Sequence, residues 1–267
     1  MHPMLNIAIR AARSAGKVIM QATEQLDKVE TNQKGSNDLV TSIDIAAEEA
    51  IIAVIKKSYP DHGFICEESG EQGNAQSEYQ WIIDPLDGTT NFIKAIPHFC
   101  VSIALKVNGK TEQAVVFDPV RDELFTATRG QGSQFNSYRT RVTKAKDLKG
   151  TVIGTGFPFK VKHYKETYLS IFSDMYDDVA DMRRAGSAAL DLAYVAAGRL
   201  DGFFEIGLKP WDTAAGELLV KEAGGIVTDF TGGHGYVSSG NIVVGNPKVV
   251  KAILSKMRPH LTPALSR

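Results

Sequence analysis

Residues 81–92 read WIIDPLDGTTNF, and the rest of the chain is organised around them. Trp81, Ile82 and Ile83 form an apolar run of the kind that builds a buried strand. Pro85 cannot continue a ladder, so the strand is expected to stop at Asp84. Asp87, Gly88, Thr89, Thr90 and Asn91 follow, all small or polar. A rigid strand would thus deliver two carboxylates, the Leu86 carbonyl and two hydroxyls to one tight turn. Asp84 and Asp87 stand three positions apart, so a turn can aim both at one point. Like charges that close repel unless a cation lies between them. An all-oxygen cluster suits a hard ion such as Mg²⁺. Asp-Pro and Asp-Gly pairs are also ordinary turn chemistry, so partners elsewhere must decide between a turn and a metal site.

The 267 residues, 43% apolar and 23% charged, suffice for one large domain or two modest ones. With 30 basic and 31 acidic residues, global charge asks for neither nucleic acid nor an anionic membrane as partner. Cys66 and Cys100 both sit in apolar runs and read as buried thiols in a reducing compartment rather than a bridge. The amphipathic N-terminus is broken by Arg10, Arg13 and Lys17 and lacks a signal core, and no run approaches 18 apolar residues. The expectation is a soluble, cytoplasmic protein with no membrane partner.

Helical spacing of Leu5, Ile9, Ala12 and Ile19 predicts a first helix over 4–26. Residues 34–37 read as a polar loop. Thr41 or Ser42 can cap a second helix that stops before Pro60. Strands are expected at 63–66, from Trp81, and at 99–107, 111–117 and 123–128, with a surface loop at 70–77. Short links between consecutive strands imply an antiparallel sheet, so the first half reads α+β. After about residue 145, strands at 151–154, 179–182, 201–205, 226–228 and 242–244 alternate with helices at 164–176, 188–197, 213–223 and 247–257. That alternation argues for an α/β second half. The halves divide as 1–145 and 146–267, forming one continuous catalytic unit.

Four further places carry acids or anion-binding geometry. Glu67 ends a short apolar strand much as Asp84 ends another, so both can face one cleft. Asp44 lies in DLVTSID, where it reads as a helix-cap acid. Gly186 and Ser187 open a helix whose N-terminus favours an anion, with Arg183 and Arg184 just before it. Glu205 ends the strand DGFFE, and Asp212 starts a helix. His98 lies near the turn but reads as structural.

Together these stretches resemble the signatures of the inositol monophosphatase family, the Mg²⁺-dependent, lithium-sensitive sugar-phosphate phosphatases. WIIDPLDGTTNF is similar to the first signature, and WDTAAGELLVKEAGG to the second, WDxAAGxxLxxEAGG. FICEES resembles the family's GEES element, with Cys66 in place of its small residue, and DLVTSID resembles DLVTxxD. The resemblance covers nearly the whole chain and implies an αβαβα sandwich, with an antiparallel sheet in the first half and a mixed sheet in the second. It implies Mg²⁺ bound by Glu67, Asp84, the Leu86 carbonyl, Asp87 and Asp212. Catalysis would fall to Thr89 and Asp44, which orient the water that attacks phosphorus, and to Glu67. Substrate contacts would come from Leu86, Asp87, Gly88, Thr89, Arg183, Gly186, Ala188, Glu205 and Asp212, with Arg184 able to take the place of Arg183. The implied substrate is inositol monophosphate or another small cyclitol or sugar monophosphate. Only 16 residues separate Glu67 from Asp84, whereas branches acting on sugar bisphosphates or phosphoadenosine nucleotides tend to carry insertions there. A homodimer is implied, and for bacterial members a second role with transcription-complex proteins in antitermination.

Overall fold

The computed structural model describes residues 2–26, 31–35 and 38–265, with no side chains described for 31–39. Helix α1 (Pro3–Thr23) turns Leu5, Ala8, Ala12, Ala15 and Ile19 inward. Strands β1 (Thr31–Gly35) and β2 (Asp38–Thr41) pair antiparallel, so the loop expected at 34–37 begins within a strand, and Ser36 and Asn37 lie outside the described residues. Helix α2 (Ser42–Ser58) follows, N-capped by Thr41 in a capping box with Asp44. The chain continues through β3 (Gly63–Cys66), β4 (Gly70–Gly73), β5 (Tyr79–Asp87), α3 (Thr89–Ile93), β6 (Cys100–Val107), β7 (Lys110–Asp118), β8 (Glu123–Thr128), β9 (Gly132–Phe135) and β10 (Tyr138–Arg139). The second half adds β11 (Val152–Thr155), α4 (Lys165–Tyr176), β12 (Asp181–Arg183), α5 (Ala188–Ala196), β13 (Gly202–Glu205), α6 (Pro210–Glu222), β14 (Ile226–Thr228), α7 (Tyr236–Ser239), β15 (Ile242–Gly245) and α8 (Pro247–Met257).

Among the described residues, and apart from the β1–β2 pair, two sheets and three helical layers alternate. The larger sheet runs β10-β9-β8-β7-β6-β5-β3-β4, and the smaller runs β12-β11-β13-β15-β14. Helices α1 and α2 cover one face of the larger sheet, α5 and α6 lie between the sheets, and α4 with α8 closes the far side. Strand alternation sets this up. On β5, Trp81 and Ile83 face the α1–α2 layer while Ile82 faces α5 and α6. On β6, Val101, Ile103 and Leu105 take the first face, and Cys100 and Ala104 the second. The layering is the expected αβαβα sandwich. The larger sheet is mixed rather than antiparallel throughout, because β3 pairs parallel with β5. The stretch expected as a loop at 70–77 supplies exposed edge strand β4, which folds back on β3 before the chain crosses to β5.

The core between the sheets draws Ile82, Val116 and Phe125 from the first half and Phe203, Leu219 and Val244 from the second. Helix α6 begins at Pro210, earlier than its apolar pattern suggested, which puts Asp212 in its first turn. Gly216 lets α6 lie close against α5, since a Cβ there would stand 2.4 Å from the Leu192 Cβ. Cys66 and Cys100 are both free and buried. Among the described residues, no helix is long and apolar enough to cross a membrane.

Candidate active site

Strand β5 passes Pro85 instead of stopping at Asp84. Asp84 pairs with Ser102 and Asp87 with Cys100, so three steps on β5 match two on β6. One extra residue in a strand is a bulge, a place where a sheet tolerates proline. Residues three apart on a regular strand point to opposite faces. The extra residue cancels that offset and turns both carboxylates to the same side. Gly88 then reverses the chain at φ 107°, and a Cβ there would stand 3.0 Å from the His98 carbonyl oxygen and from the Phe99 Cβ.

Asp84, Asp87 and Asp212 converge, each offering a carboxylate oxygen within 4.8 Å of the others. Asp84 is 1% exposed and accepts the Leu86 N–H at 3.0 Å. Burial, then Glu67, Asp87 and Asp212 around it, hold its carboxyl well above the usual range, and the Glu67 carboxyl is hydrogen-bonded to it. Asp212 is raised well above its ordinary value by burial and then by Asp87, while the Lys209 N–H, donated at 2.6 Å, opposes the shift. Asp87 is raised by burial, against hydrogen bonds from Ser187 and Ala189 and the positive charges of Lys160 and Arg184. Acids that repel one another in this way form a donor set that a cation would neutralise. The cluster can therefore hold a metal ion.

The surrounding elements fix these groups. Glu48 on α2, 3% exposed, accepts the Glu68 N–H and the Ser69 N–H, each at 3.0 Å. It thereby pins the loop that carries Glu67, whose own N–H donates to the Ile83 carbonyl at 3.1 Å. Thr89 Oγ1 lies 2.9 Å from Asp44 Oδ1 and 3.1 Å from the Leu86 carbonyl oxygen, with one proton to give. Asp44 also receives the Thr41 N–H at 2.8 Å and the Thr41 hydroxyl at 2.5 Å. Burial raises the Asp44 carboxyl, and these donors pull it back. Asn91 ties the turn to the second half by donating to the His98 carbonyl at 2.7 Å and the Ala185 carbonyl at 2.9 Å.

Beside the acids opens a cleft of about 180 Å³. Asp87, Gly186, Ala188, Glu205 and Asp212 line it, together with Lys160, Arg184, Ser187 and Asp191. Burial, then Asp87, pushes Glu205 up to about 8. Glu205 needs the bare backbone of Gly156, where a Cβ would stand 2.0 Å from its carboxyl carbon. Both neighbouring arginines are exposed; Arg183 pairs with Asp181 away from the cleft, while Arg184 lies over Phe157 and Phe159 and lines it. Alternation along β12 and the loop after it puts neighbours on opposite sides, and no sequence feature said which would face in. His98 sets its ring edge-on to Tyr194 at 6.0 Å, away from the acids' own hydrogen bonds.

Glu48, Asp191 and Lys160 had no part in the sequence-level site. Glu48 could have been found as an acid on the buried face of α2. Lys160 and Asp191 carry no local signal.

Residues 1–262 match the family model described as Inositol monophosphatase family. The chain is 65% identical to Nus factor SuhB of Escherichia coli (strain K12) over 267 residues, 100% of each. Extragenic suppressor protein suhB from Bartonella henselae superposes with a TM-score of 0.94 at 42% identity, covering 97% of this chain and 100% of that one. Inositol monophosphatase from Anabaena (Nostoc) sp. PCC 7120 gives 0.84 at 36% identity, over 97% of this chain and 96% of that one. A fold, two signature stretches and a whole-length match agree, and the chain belongs to the inositol monophosphatase family.

Proposed function

We propose that the protein is a Mg²⁺-dependent phosphatase that hydrolyses inositol monophosphate, or a closely related cyclitol or sugar monophosphate, to the free polyol and phosphate. The observation that carries this reading is the convergence of Asp84, Asp87 and Asp212 at the edge of a cleft that also holds Glu205. Residues 1–145 supply most of the acids and 146–267 complete the site with Asp212, Glu205 and the start of α5, so the two halves work as one catalytic unit.

Glu67, Asp84, the Leu86 carbonyl, Asp87 and Asp212 would hold Mg²⁺. When bound, the ion would supply charge stabilisation for the phosphoryl oxygens and make nearby water more acidic. The chain's own residues do the rest. Thr89 gives its proton to Asp44, which leaves hydroxyl lone pairs to accept a proton from the attacking water and to aim that water. The Gly88–Thr89 turn and the start of α5, through Gly186 and Ala188, receive the anionic ester. Glu205 accepts a ring hydroxyl, and Arg184 and Lys160 balance the cleft's acids. No covalent enzyme intermediate is needed.

Phosphate release from a panel of inositol, sugar and ring-free monophosphates, with Mg²⁺ and with chelator, tests the reading. Turnover confined to Mg²⁺ and strongest on inositol monophosphate is expected. Full activity in chelator would remove it, and a preference for fructose bisphosphate or a phosphoadenosine nucleotide would move it to another branch of the family. The family resemblance adds lithium inhibition, a homodimer and a cytoplasmic location to the proposal.

A second reading rests on the relatives named Nus factor SuhB. It is a non-catalytic role with transcription-complex proteins. A pull-down with the Asp87→Asn variant separates the two, because partner capture without turnover supports a binding role of its own.

A further inference from the structure

We propose that Asp191 is a further specificity-determining residue, its carboxylate accepting a second ring hydroxyl of the polyol on the floor of the cleft beside Glu205. The inference rests on the phosphatase reading above and concerns a residue outside the metal cluster.

Asp191 lies in the first turn of α5, is 2% exposed and lines the cleft. Among the described residues, its side chain has no hydrogen-bond donor, and its N–H donates to the Ser187 carbonyl at 3.0 Å. Other acids of the site have donors: Asp84 from Leu86, Asp87 from Ser187 and Ala189, Asp44 from Thr41 and Thr89, and Asp212 from Lys209. A buried acid with no donor is costly, and folded proteins avoid the arrangement unless something supplies the missing partner. Gly154 and Gly156 lie two apart at the end of β11. A Cβ at Gly154 would meet Leu200 at 2.9 Å and Phe203 at 3.1 Å and reach ordinary contact with the Asp191 carboxyl carbon at 3.6 Å, while one at Gly156 would stand 2.0 Å from the carboxyl carbon of Glu205. The two acids thus lie beside neighbouring positions of one strand. Burial, followed by the charges of Glu205 and Asp87, raises the Asp191 carboxyl well above its ordinary range, as an acid lacking donors should behave. A hydroxyl-rich ring brings the missing donors. An ester without ring hydroxyls does not.

The test compares Asp191→Asn with wild type on inositol monophosphate and on p-nitrophenyl phosphate, at saturating Mg²⁺. The variant is expected to raise KM for inositol monophosphate about tenfold, the order lost with one charge-assisted hydrogen bond, with kcat little changed. Turnover of p-nitrophenyl phosphate should match wild type. The variant should melt at the same temperature as wild type or higher, since a buried charge without donors is gone. Free myo-inositol with Mg²⁺ should raise the melting temperature of wild type but not of Asp191→Ser. Equal losses on both esters, an unchanged KM for inositol monophosphate, or an Asn variant that no longer folds would overturn the inference and leave the phosphatase reading standing. A wild type inactive on both esters would remove both.

Discussion

The Asp87 carboxylate accepts the Ala189 N–H at 2.7 Å, joining a turn to a helix start that lies 102 residues further along the chain. The Ser187 hydroxyl donates to the same oxygen, Oδ2, also at 2.7 Å. One carboxylate oxygen is thus spent on the N-terminus of α5, where a negative charge is favoured. The other is left for the acidic cluster. If the cluster holds Mg²⁺ and α5 an anion as proposed, metal affinity and the geometry of the α5 site would be coupled through this single side chain.

Glu48 is expected to govern metal affinity without touching the metal. Glu48→Ala removes the acceptor for two N–H groups and should cost about 2–4 kcal/mol of stability. By loosening the Glu67 loop it should also raise the Mg²⁺ concentration needed for half-maximal activity. Glu48→Gln keeps one acceptor oxygen and should lose less of both. Thermal melts and Mg²⁺ activation curves check this, and an unchanged Mg²⁺ requirement in Glu48→Ala would confine the residue to folding.

Glu205 should mark the pH dependence of the metal-free protein. Its folded-state carboxyl stands at about 8, above the ordinary 4.5, so the folded chain holds the proton more tightly than the unfolded chain. The stability this contributes is fully present below about 4.5 and is lost as pH rises through 8. Asp84, Asp87 and Asp212 are shifted in the same direction, so apo wild type should lose stability over a broad rise in pH. In chelator, Glu205→Gln should gain on wild type as pH climbs from 5 to 9. Parallel melting curves for the two would show that Glu205 is not held in this way.

The two neighbouring arginines should behave differently. Arg183 is exposed and paired with exposed Asp181, so Arg183→Ala should change stability by no more than about 0.5 kcal/mol and leave KM unchanged. Arg184 lines the cleft, so Arg184→Ala should raise KM several-fold. Steady-state kinetics on inositol monophosphate separate them, and the reverse pattern would restore Arg183 to the site.

Much of this was legible in the sequence where a local rule applied. An apolar run located β5, apolar alternation located β6, and Thr41 or Ser42 announced the start of α2. Both signature stretches brought Asp84, Asp87 and Asp212 to one expectation, and the fold places them together. What stayed hidden depends on contacts between distant segments. Pro85 read as the end of a strand because a bulge needs a partner strand to be defined, and β6 lies beyond the turn. The parallel pairing of β3 and β5 was obscured because β4, a short polar edge strand, reads as loop. Asp191, and the choice of Arg184 over Arg183, became visible only once β11, α5 and β13 had closed around one space.

The central claim is that Asp87 belongs to a metal cluster that is electrostatically costly when empty. Asp87→Asn keeps the shape and removes one charge, while an amide oxygen can still receive the Ser187 and Ala189 donors. In chelator, the variant should melt at the wild-type temperature or above it. Wild type should gain stability with Mg²⁺, by about 2.7 kcal/mol at a hundred times the dissociation constant. The variant should lose most of that gain and most of its phosphate release. Melting temperatures of both proteins across a Mg²⁺ titration give the answer directly. A variant destabilised in chelator that keeps its Mg²⁺ response and its turnover would make Asp87 a structural turn residue and contradict the account.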